Sequence, residues 1–152
     1  MSGVWEYQEP LPPRNNGGEA TFFWKSDSGL DTPDLQTCQV EVPLCSAETA
    51  AEFNPPHSSW TLFGGVVRPK SRGRIRLTGP NPHDPVQIEP NTLSHPDDMK
   101  AAIAGVELCR EVGHSTPLRP YRKREVMPGP LKGVATTIRP VPQKWGAIPC
   151  QL

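Results

Sequence analysis

The chain has 152 residues, which suits one ordinary domain and is too short for two full ones. Its 16 lysines and arginines balance 16 aspartates and glutamates, so the formal charge argues against a globally basic nucleic-acid binder. Hydrophobic residues make up only 35%, whereas 20 prolines and 13 glycines are spread along the chain, a composition typical of loop-rich domains with short strands.

The sequence shows no sign of a membrane segment or a secretory signal. No run of 18 apolar residues occurs, and Met1–Glu6 lacks both the basic and the apolar part of a signal peptide. The cysteines form no C-x-x-C pair that would indicate zinc or redox chemistry; they are Cys38, Cys45, Cys109 and Cys150. We therefore expect a cytoplasmic protein with reduced thiols.

Short stretches rich in aromatic and β-branched residues predict a series of strands. The first is Glu19–Lys25, and the second, Leu35–Leu44, alternates Cys38, Val40 and Val42 with polar residues. This alternation predicts a half-buried strand with the cysteine and the two valines on its inner face. Three further strands are predicted at Ser59–Val67, Gly73–Thr78 and Val86–Glu89.

The clearest helix is predicted at Pro96–Val112. Ser94 and Asp97 match a capping box at its start, and Gly113 matches a C-terminal cap. Apolar side chains at helical spacing predict its buried stripe: Met99, Ala102, Ile103, Val106, Cys109 and Val112. The last 20 residues show no period. Several strands and one long helix predict an α+β fold, with a mostly antiparallel sheet and the helix on one face.

Five cations stand at alternate positions, namely Arg68, Lys70, Arg72, Arg74 and Arg76. On a strand they would project from one face. Such a row suits nucleic-acid phosphates, but the zero net charge and the distant aromatic residues favour a solvated strand face. We therefore expect no nucleic-acid partner, and phosphate binding through Arg68–Arg76 is the alternative.

No complete catalytic or cofactor-binding motif occurs in the sequence. The histidines at 57, 83, 95 and 114 are scattered and form no H-x-x-x-H or H-E-x-x-H pair, so no metal site is predicted. The sequence contains no G-x-G-x-x-G, no G-x-x-x-x-G-K-[ST] and no G-x-S-x-G. From the residues alone, we assign no catalytic, cofactor-binding or metal residue.

Several stretches, taken in order, resemble the C-terminal, substrate-binding domain of the glucose–methanol–choline (GMC) oxidoreductases. They are R-P-K-S-R-G-R-I-R-L at 68–77, D-P-V-Q-I at 84–88, N-T-L-S-H-P-D-D at 91–98 and R-E-V-M-P-G-P at 124–130. N-N-G-G-E-A at 15–20 and D-T-P-D-L-Q at 31–36 are similar to the choline-dehydrogenase-like branch. Each motif alone is weak, but the ordered set covers residues 1–133.

This resemblance implies FAD-dependent oxidation of the CH–OH group of a small-molecule alcohol, choline-like in this branch. It also implies a substrate-binding role for Glu19, because in choline-oxidising relatives a carboxylate near this strand faces the quaternary ammonium. Glu19 is followed by Phe22, Phe23 and Trp24, and aromatic faces suit such cations. The alternative is a surface glutamate at the start of a strand.

The sequence departs from the family pattern at the cofactor and at the catalytic base. Family members are much longer, and their G-x-G-x-x-G, which holds the FAD pyrophosphate at a helix N-terminus, has no counterpart here. None of the four histidines occupies the place of the family's catalytic histidine, downstream of P-G-P. We therefore expect the isolated chain to be inactive, either as a binding remnant or as a subunit that pairs with a separate FAD domain. Such a fragment is expected to expose apolar surface.

Residues 134–152 form an irregular tail that the genetic code connects to the missing histidine segment. If the last base of each codon is joined to the first two of the next, the codons from Thr136 onward permit Y-H-P-S-C-T-A-K-M-G. This string is similar to the family's H-P-x-x-T-x-K-M-G, and its glycine is forced by the Trp145–Gly146 junction. We therefore expect a partial GMC domain at 1–133 and a frameshifted tail over Thr137–Leu152.

Overall fold

The computed structural model describes residues 2–9, 17–129 and 145–148, with the backbone alone for Ser2, Glu19 and 145–148. Two compact units share the chain: Met1–Arg68 with Lys100–Ile138, and Pro69–Met99 with Arg139–Leu152. Among the described residues, no helix combines the length and the hydropathy that a membrane span requires.

Numbered along the chain, the described strands are β1 (Ser2–Tyr7), β2 (Gly18–Trp24), β3 (Leu35–Val40), β4 (Ser59–Val66), β5 (Arg74–Leu77), β6 (Val86–Glu89), β7 (Arg122–Met127) and β8 (Trp145–Ile148). The helices are α1 (Ala47–Phe53), α2 (Pro96–His114) and a 3-10 helix at Thr116–Tyr121. In the first unit the strand order is β2-β3-β4-β1-β7, with every neighbouring pair antiparallel. The predicted α+β fold, with a mostly antiparallel sheet and one long helix, is confirmed.

The core of the first unit lies between this sheet and helix α2. Trp5 of β1 and Trp60 of β4 stack with their ring centroids 4.7 Å apart, and Leu62 and Cys109 complete the buried cluster. Burial raises the pKa of the Cys109 thiol to about 11, so this predicted stripe residue is a neutral, apolar core group.

The buried face of strand β3 is not the one that its sequence alternation predicted. Leu35 and Thr37 are almost completely buried, whereas Cys38 and Val40 are half-buried and Val42 is 48% exposed. The covered face is decided by helix α2, which packs against Leu35. Alternation separates the two faces of a strand but does not say which one a helix covers.

Both ends of α2 differ from the predicted caps. His95, and not Ser94, caps the start, because its Nδ1 accepts the Asp97 N–H at 3.1 Å. At the other end the helix continues past Gly113, so this glycine is not a C-terminal cap. A Cβ at Gly113 would collide with the Trp5 indole, so the glycine is required for close packing of the helix on the sheet.

Strands β1, β7 and β8 have no counterpart among the predicted elements. Glu6 of β1 binds Lys123 Nζ and Arg124 Nε of β7, each at 2.7 Å, and these hydrogen bonds lower its pKa. Charged residues of β7 thus form ion pairs with the neighbouring strand β1. The sequence of β7 therefore lacks the apolar alternation by which a strand is recognised. β8 lies in the stretch where the sequence shows no period.

The second unit contains an antiparallel sheet with the strand order β5-β6-β8. On one face of its β5–β6 ribbon, Ile75 lies opposite Ile88 and Leu77 lies opposite Val86. Ile75 is 69% exposed and Leu77 is 81% exposed. This ribbon therefore exposes apolar surface, as expected from the sequence.

Substituting Gly113→Ala tests how closely α2 approaches Trp5. We expect the free energy of unfolding to fall by about 1–3 kcal/mol, because the added methyl forces the helix or the indole to move. In the control Gly65→Ala, the Cβ meets no atom within 4 Å, so the change should stay below about 0.5 kcal/mol. Urea unfolding followed by circular dichroism measures both. Equal stabilities of the two variants would contradict the close packing.

Candidate functional site

A cavity of about 560 Å³ lies in the first unit, on the face of the sheet that α2 covers; we refer to it as the helix-side cavity. Small-molecule sites typically enclose about 300–1,000 Å³, so its size suits a small ligand. Its floor is formed by strand residues and its walls by the end of α2 and the 3-10 helix. The helix-side cavity is therefore the first candidate for a binding site.

The floor residues share one face because alternate side chains of a strand point the same way. Ala20 of β2 pairs with Gln39 of β3, which pairs with Leu62 of β4. Phe22 and Trp60 extend this floor along their strands. Residues from three strands that are distant in sequence thus form one continuous surface.

Side chains from α2 and the segment that follows it, Ser115 among them, supply the walls of the helix-side cavity. Val112 comes from the last turn of α2, and Leu118 and Tyr121 come from the 3-10 helix. Together with the floor, they make the lining mostly aromatic and aliphatic. The cavity therefore suits the apolar body of a ligand.

Glu41 is the charged residue among the described side chains that line the cavity. It follows β3, and its backbone N–H donates to the Gly17 carbonyl at 2.8 Å. Gln39 lies two residues earlier in the chain and also lines the cavity. The arrangement combines a carboxylate with aromatic rings, and such groups bind organic cations.

Glu19 lies in β2, but its side chain is outside the described residues. The aromatic residues that follow it are divided between the two faces of the strand. Phe22 lines the helix-side cavity, whereas Phe23 points to the opposite face and is 54% exposed. The structure therefore does not gather these rings into one cage.

In the second unit, Asp98 joins two of the sequence motifs. Its carboxylate accepts the backbone N–H of Lys70 at 2.8 Å and that of Ser71 at 2.7 Å. The Ser71 hydroxyl oxygen accepts the backbone N–H of His95 at 3.0 Å. We refer to these four residues as the Asp98 junction. Burial acts to raise the pKa of Asp98, but hydrogen bonds from Ser71 and Lys70 hold it below the ordinary 3.8.

The cations between Arg68 and Arg76 do not share one strand face, so that prediction is wrong. Strand β5 begins only at Arg74, and Lys70 lies in the loop that Asp98 holds. Lys70 forms an ion pair with Asp97, and Arg74 forms one with Glu89. Neighbouring carboxylates therefore neutralise part of the row.

Two of the four histidines serve the fold. His95 caps α2, and His114 Nε2 lies 2.7 Å from Oε2 of the buried Glu125, which also pairs with Arg110. The part of the chain that the structure describes contains no group of three or more His, Cys, Asp or Glu residues that could hold a metal ion.

Comparison with known proteins relates the chain to one family. The sequence model described as "GMC oxidoreductase" matches residues 69–143, a segment that contains the whole Asp98 junction. The chain is 47% identical over 116 residues to an alcohol dehydrogenase (acceptor) of Pseudomonas putida, and 31% identical over 130 residues to an oxygen-dependent choline dehydrogenase of Brucella anthropi. These matches cover 76% and 85% of the chain.

The same comparisons show that the chain is short beside its relatives. It spans 20% of the Pseudomonas putida protein and 23% of the Brucella anthropi protein. The crystal structure of pyridoxine 4-oxidase from Mesorbium loti is similar to 90% of the chain, with a TM-score of 0.76 and 26% sequence identity, and the chain covers 27% of that structure.

Substituting Asp98→Asn tests the Asp98 junction. We expect the free energy of unfolding at pH 7 to fall by about 1–3 kcal/mol, because a neutral amide replaces a buried, charged acceptor of two N–H groups. The control is Asp97→Asn, which removes an exposed ion pair with Lys70 and should cost less than about 1 kcal/mol. Urea unfolding of both variants measures the difference.

The pH dependence of stability provides a second test of the same carboxylate. Because the pKa of Asp98 is lower in the folded state, its ionised form contributes stability above pH 3.8, and this contribution is lost as the pH falls through the folded pKa. The acid loss of stability should therefore be smaller in Asp98→Asn than in the unmodified chain. Identical acid profiles would contradict the assignment.

Proposed function

Residues 69–143 belong to the C-terminal domain family of the GMC oxidoreductases, and we propose that the chain is the substrate-side part of an FAD-dependent oxidoreductase that acts on the CH–OH group of an alcohol. The observation that carries this proposal is the agreement of sequence identity and backbone superposition over most of the chain. Because the chain spans only 20–27% of these relatives, the oxidation belongs to the larger protein to which it contributes.

We propose a choline-like alcohol as the substrate class. The Brucella anthropi relative is named for choline. The resemblance noted in the sequence implies that Glu19 corresponds to a carboxylate of choline-oxidising relatives. In this role Glu19 would face the ammonium group of the substrate, because a negative charge stabilises a cation held away from water. The competing role is that of a solvated glutamate at the start of β2.

The described residues do not fit the pyrophosphate of FAD. A helix N-terminus binds phosphate through free backbone N–H groups and a positive end of the helix dipole. At the start of α2, Pro96 has no N–H, His95 already accepts the N–H of Asp97, and the first turn carries two aspartates. The carboxylates of this turn would repel a phosphate, so we assign FAD to a separate domain that acts as the partner of this chain.

A catalytic base is also assigned to that larger protein. Both His95 and His114 are engaged in structural hydrogen bonds, and none of the histidines follows the P-G-P stretch at 128–130. We therefore propose that the isolated chain is inactive. The free thiols of Cys38, Cys45 and Cys109 support our proposal of a cytoplasmic location.

Measurements of flavin retention and turnover test whether FAD and the catalytic base belong to a separate domain. The purified chain, mixed with FAD and then desalted, should retain no flavin absorbance and should reduce no electron-acceptor dye with choline, pyridoxine or a primary alcohol. A chimera in which the chain replaces the matched 116 residues of the Pseudomonas putida relative, with that enzyme's own histidine segment kept, should retain FAD and reduce the dye.

The Glu19→Gln variant of this chimera separates the role of the charge from that of folding. We expect it to lose about tenfold in kcat/KM for choline and less than twofold for an uncharged alcohol of the same shape. Flavin retention and turnover by the chain alone would contradict the assignment to a separate FAD domain. A flavin-loaded chimera without alcohol oxidation would contradict the alcohol assignment.

We propose that the tail from Thr137 is encoded in a shifted reading frame. The string that the shifted codons permit supports this, since it places a histidine and a K-M-G sequence where the family carries them. The family match itself extends to residue 143 in the present frame.

Sequencing the encoding DNA from codon Lys132 through Leu152, with both flanks, tests the frameshift. The shifted frame is expected to read His-Pro-x-x-Thr-x-Lys-Met-Gly, with an FAD-domain reading frame upstream. If the present frame is confirmed and the shifted frame lacks the histidine, the frameshift proposal is overturned. The oxidoreductase assignment would then describe the chain's ancestry and not its activity.

A further inference from the structure

We propose that two copies of the isolated chain pair through strand β2, antiparallel and with Phe22 of one copy opposite Phe22 of the other. β2 is one edge of the five-stranded sheet, and among the described residues no strand lies on its outer side. An edge strand presents backbone N–H and C=O groups that can pair with another chain. This pairing does not depend on the oxidoreductase assignment, because it needs only a second copy of the chain.

The two edges of this sheet differ in how well they resist further pairing. At the β7 edge, Lys123 and Arg124 carry charge and the strand ends just before Pro128, and both features hinder pairing with another strand. β2 contains no proline, and its one charged residue is at its second position. Its aromatic side chains are open to solvent, since Phe23 is 54% exposed and Trp24 is 57% exposed. The β2 edge is therefore the one that favours an added strand.

The register of the pair follows from the regular part of β2. Ala20–Trp24 pair with β3 without interruption, whereas the ladder shifts between Gly18 and Ala20. Phe22 is the midpoint of this regular segment. A twofold axis through Phe22 therefore gives every residue of the segment a partner in the second copy, and any other centre leaves some of them without one.

This register places complementary side chains opposite one another on both faces of the sheet. On the helix side, Ala20 lies opposite Trp24 of the second copy, so a small side chain meets a large one. The two Phe22 rings meet at the axis on the same face. On the other face, Thr21 lies opposite Phe23 of the second copy. Aromatic and β-branched residues at facing positions stabilise a strand pair.

Opposite charges flank the paired segment. Glu19 precedes it and Lys25 follows it, so antiparallel pairing brings Glu19 of each copy opposite Lys25 of the other. Opposite charges at facing positions stabilise a strand pair, whereas like charges there destabilise it. A parallel pair in register would place like charges side by side at both ends, so the charges select the antiparallel arrangement. The substrate-facing role of Glu19 belongs to the larger protein, so one molecule does not need both roles at once.

Sedimentation equilibrium of the purified chain under reducing conditions tests the pairing. The apparent mass should rise with concentration from 16.7 kDa to twice that value, with a Kd of about 100 µM or tighter. It should stop there, because a twofold pair uses the β2 edge of both copies. A chain that stays monomeric at about 1 mM, or a mass that keeps rising beyond the dimer, would overturn the pairing.

Charge-reversal variants test the register. Glu19→Lys should weaken the dimer about tenfold, because it sets lysine against Lys25 at both ends of the pair, and Lys25→Glu should weaken it similarly. The double variant restores opposite charges and should recover the Kd to within about twofold. The controls Glu107→Lys and Lys100→Glu change the net charge equally at exposed positions of α2 and should have little effect. Failure of the double variant to recover, or equal weakening by the controls, would overturn the register.

Cysteines in β2 test the same register independently. Phe22→Cys places two thiols at facing positions, where the Cα atoms of antiparallel neighbours are about 4.5–5.5 Å apart and a disulfide can form. Phe23→Cys places them across a diagonal, beyond the roughly 7 Å that a disulfide spans. After oxidation, peptide mapping should find a link between copies through position 22 and none through position 23. Equal yields at the two positions would contradict the register. Lys25 is exposed, so Lys25→Glu decides the case in which Phe22→Cys does not fold.

Discussion

The fold of the first unit depends on how closely helix α2 approaches the five-stranded sheet. Gly113 lies where a side chain would collide with Trp5, and a Cβ at Gly64 would come within 3.3 Å of the Gly105 carbonyl oxygen. Glycine at these positions lets the helix cover the Trp5–Trp60 stack completely, and burial of large rings contributes strongly to core stability. Helix α2 ends at His114, and Val112 of its last turn lines one side of the helix-side cavity.

The features that follow from one short stretch of sequence could be predicted, and those that depend on a distant element could not. Helix α2 was predicted because its apolar stripe repeats at a single period. The inner face of β3 was predicted wrongly because the covering helix begins more than 50 residues later in the chain. The helix-side cavity combines side chains from strands and helices far apart in sequence, so no local pattern identifies it. The role of Glu19 stays a prediction.

The Asp98 junction gives a physical reason for the motif order that resembles the GMC family. A carboxylate with almost no exposure needs donors, and the backbone N–H groups of Lys70 and Ser71 supply two. Ser71 also accepts the N–H of His95, so the loop before β5 and the start of α2 are joined by a continuous set of hydrogen bonds. Separate weak motifs therefore form one structural unit, which explains why their order is more informative than any one of them.

The two units differ in how much apolar surface they leave exposed. The first unit buries Trp5 and Trp60 through its own contacts. The second unit leaves Ile75 and Leu77 largely in water, and complete burial of such side chains contributes about 1.5–3 kcal/mol each. The free energy of unfolding of a whole domain is only about 5–15 kcal/mol, so covering this ribbon would raise the stability of the second unit substantially. The exposed ribbon of the second unit is thus a part of the chain that would gain stability from being covered.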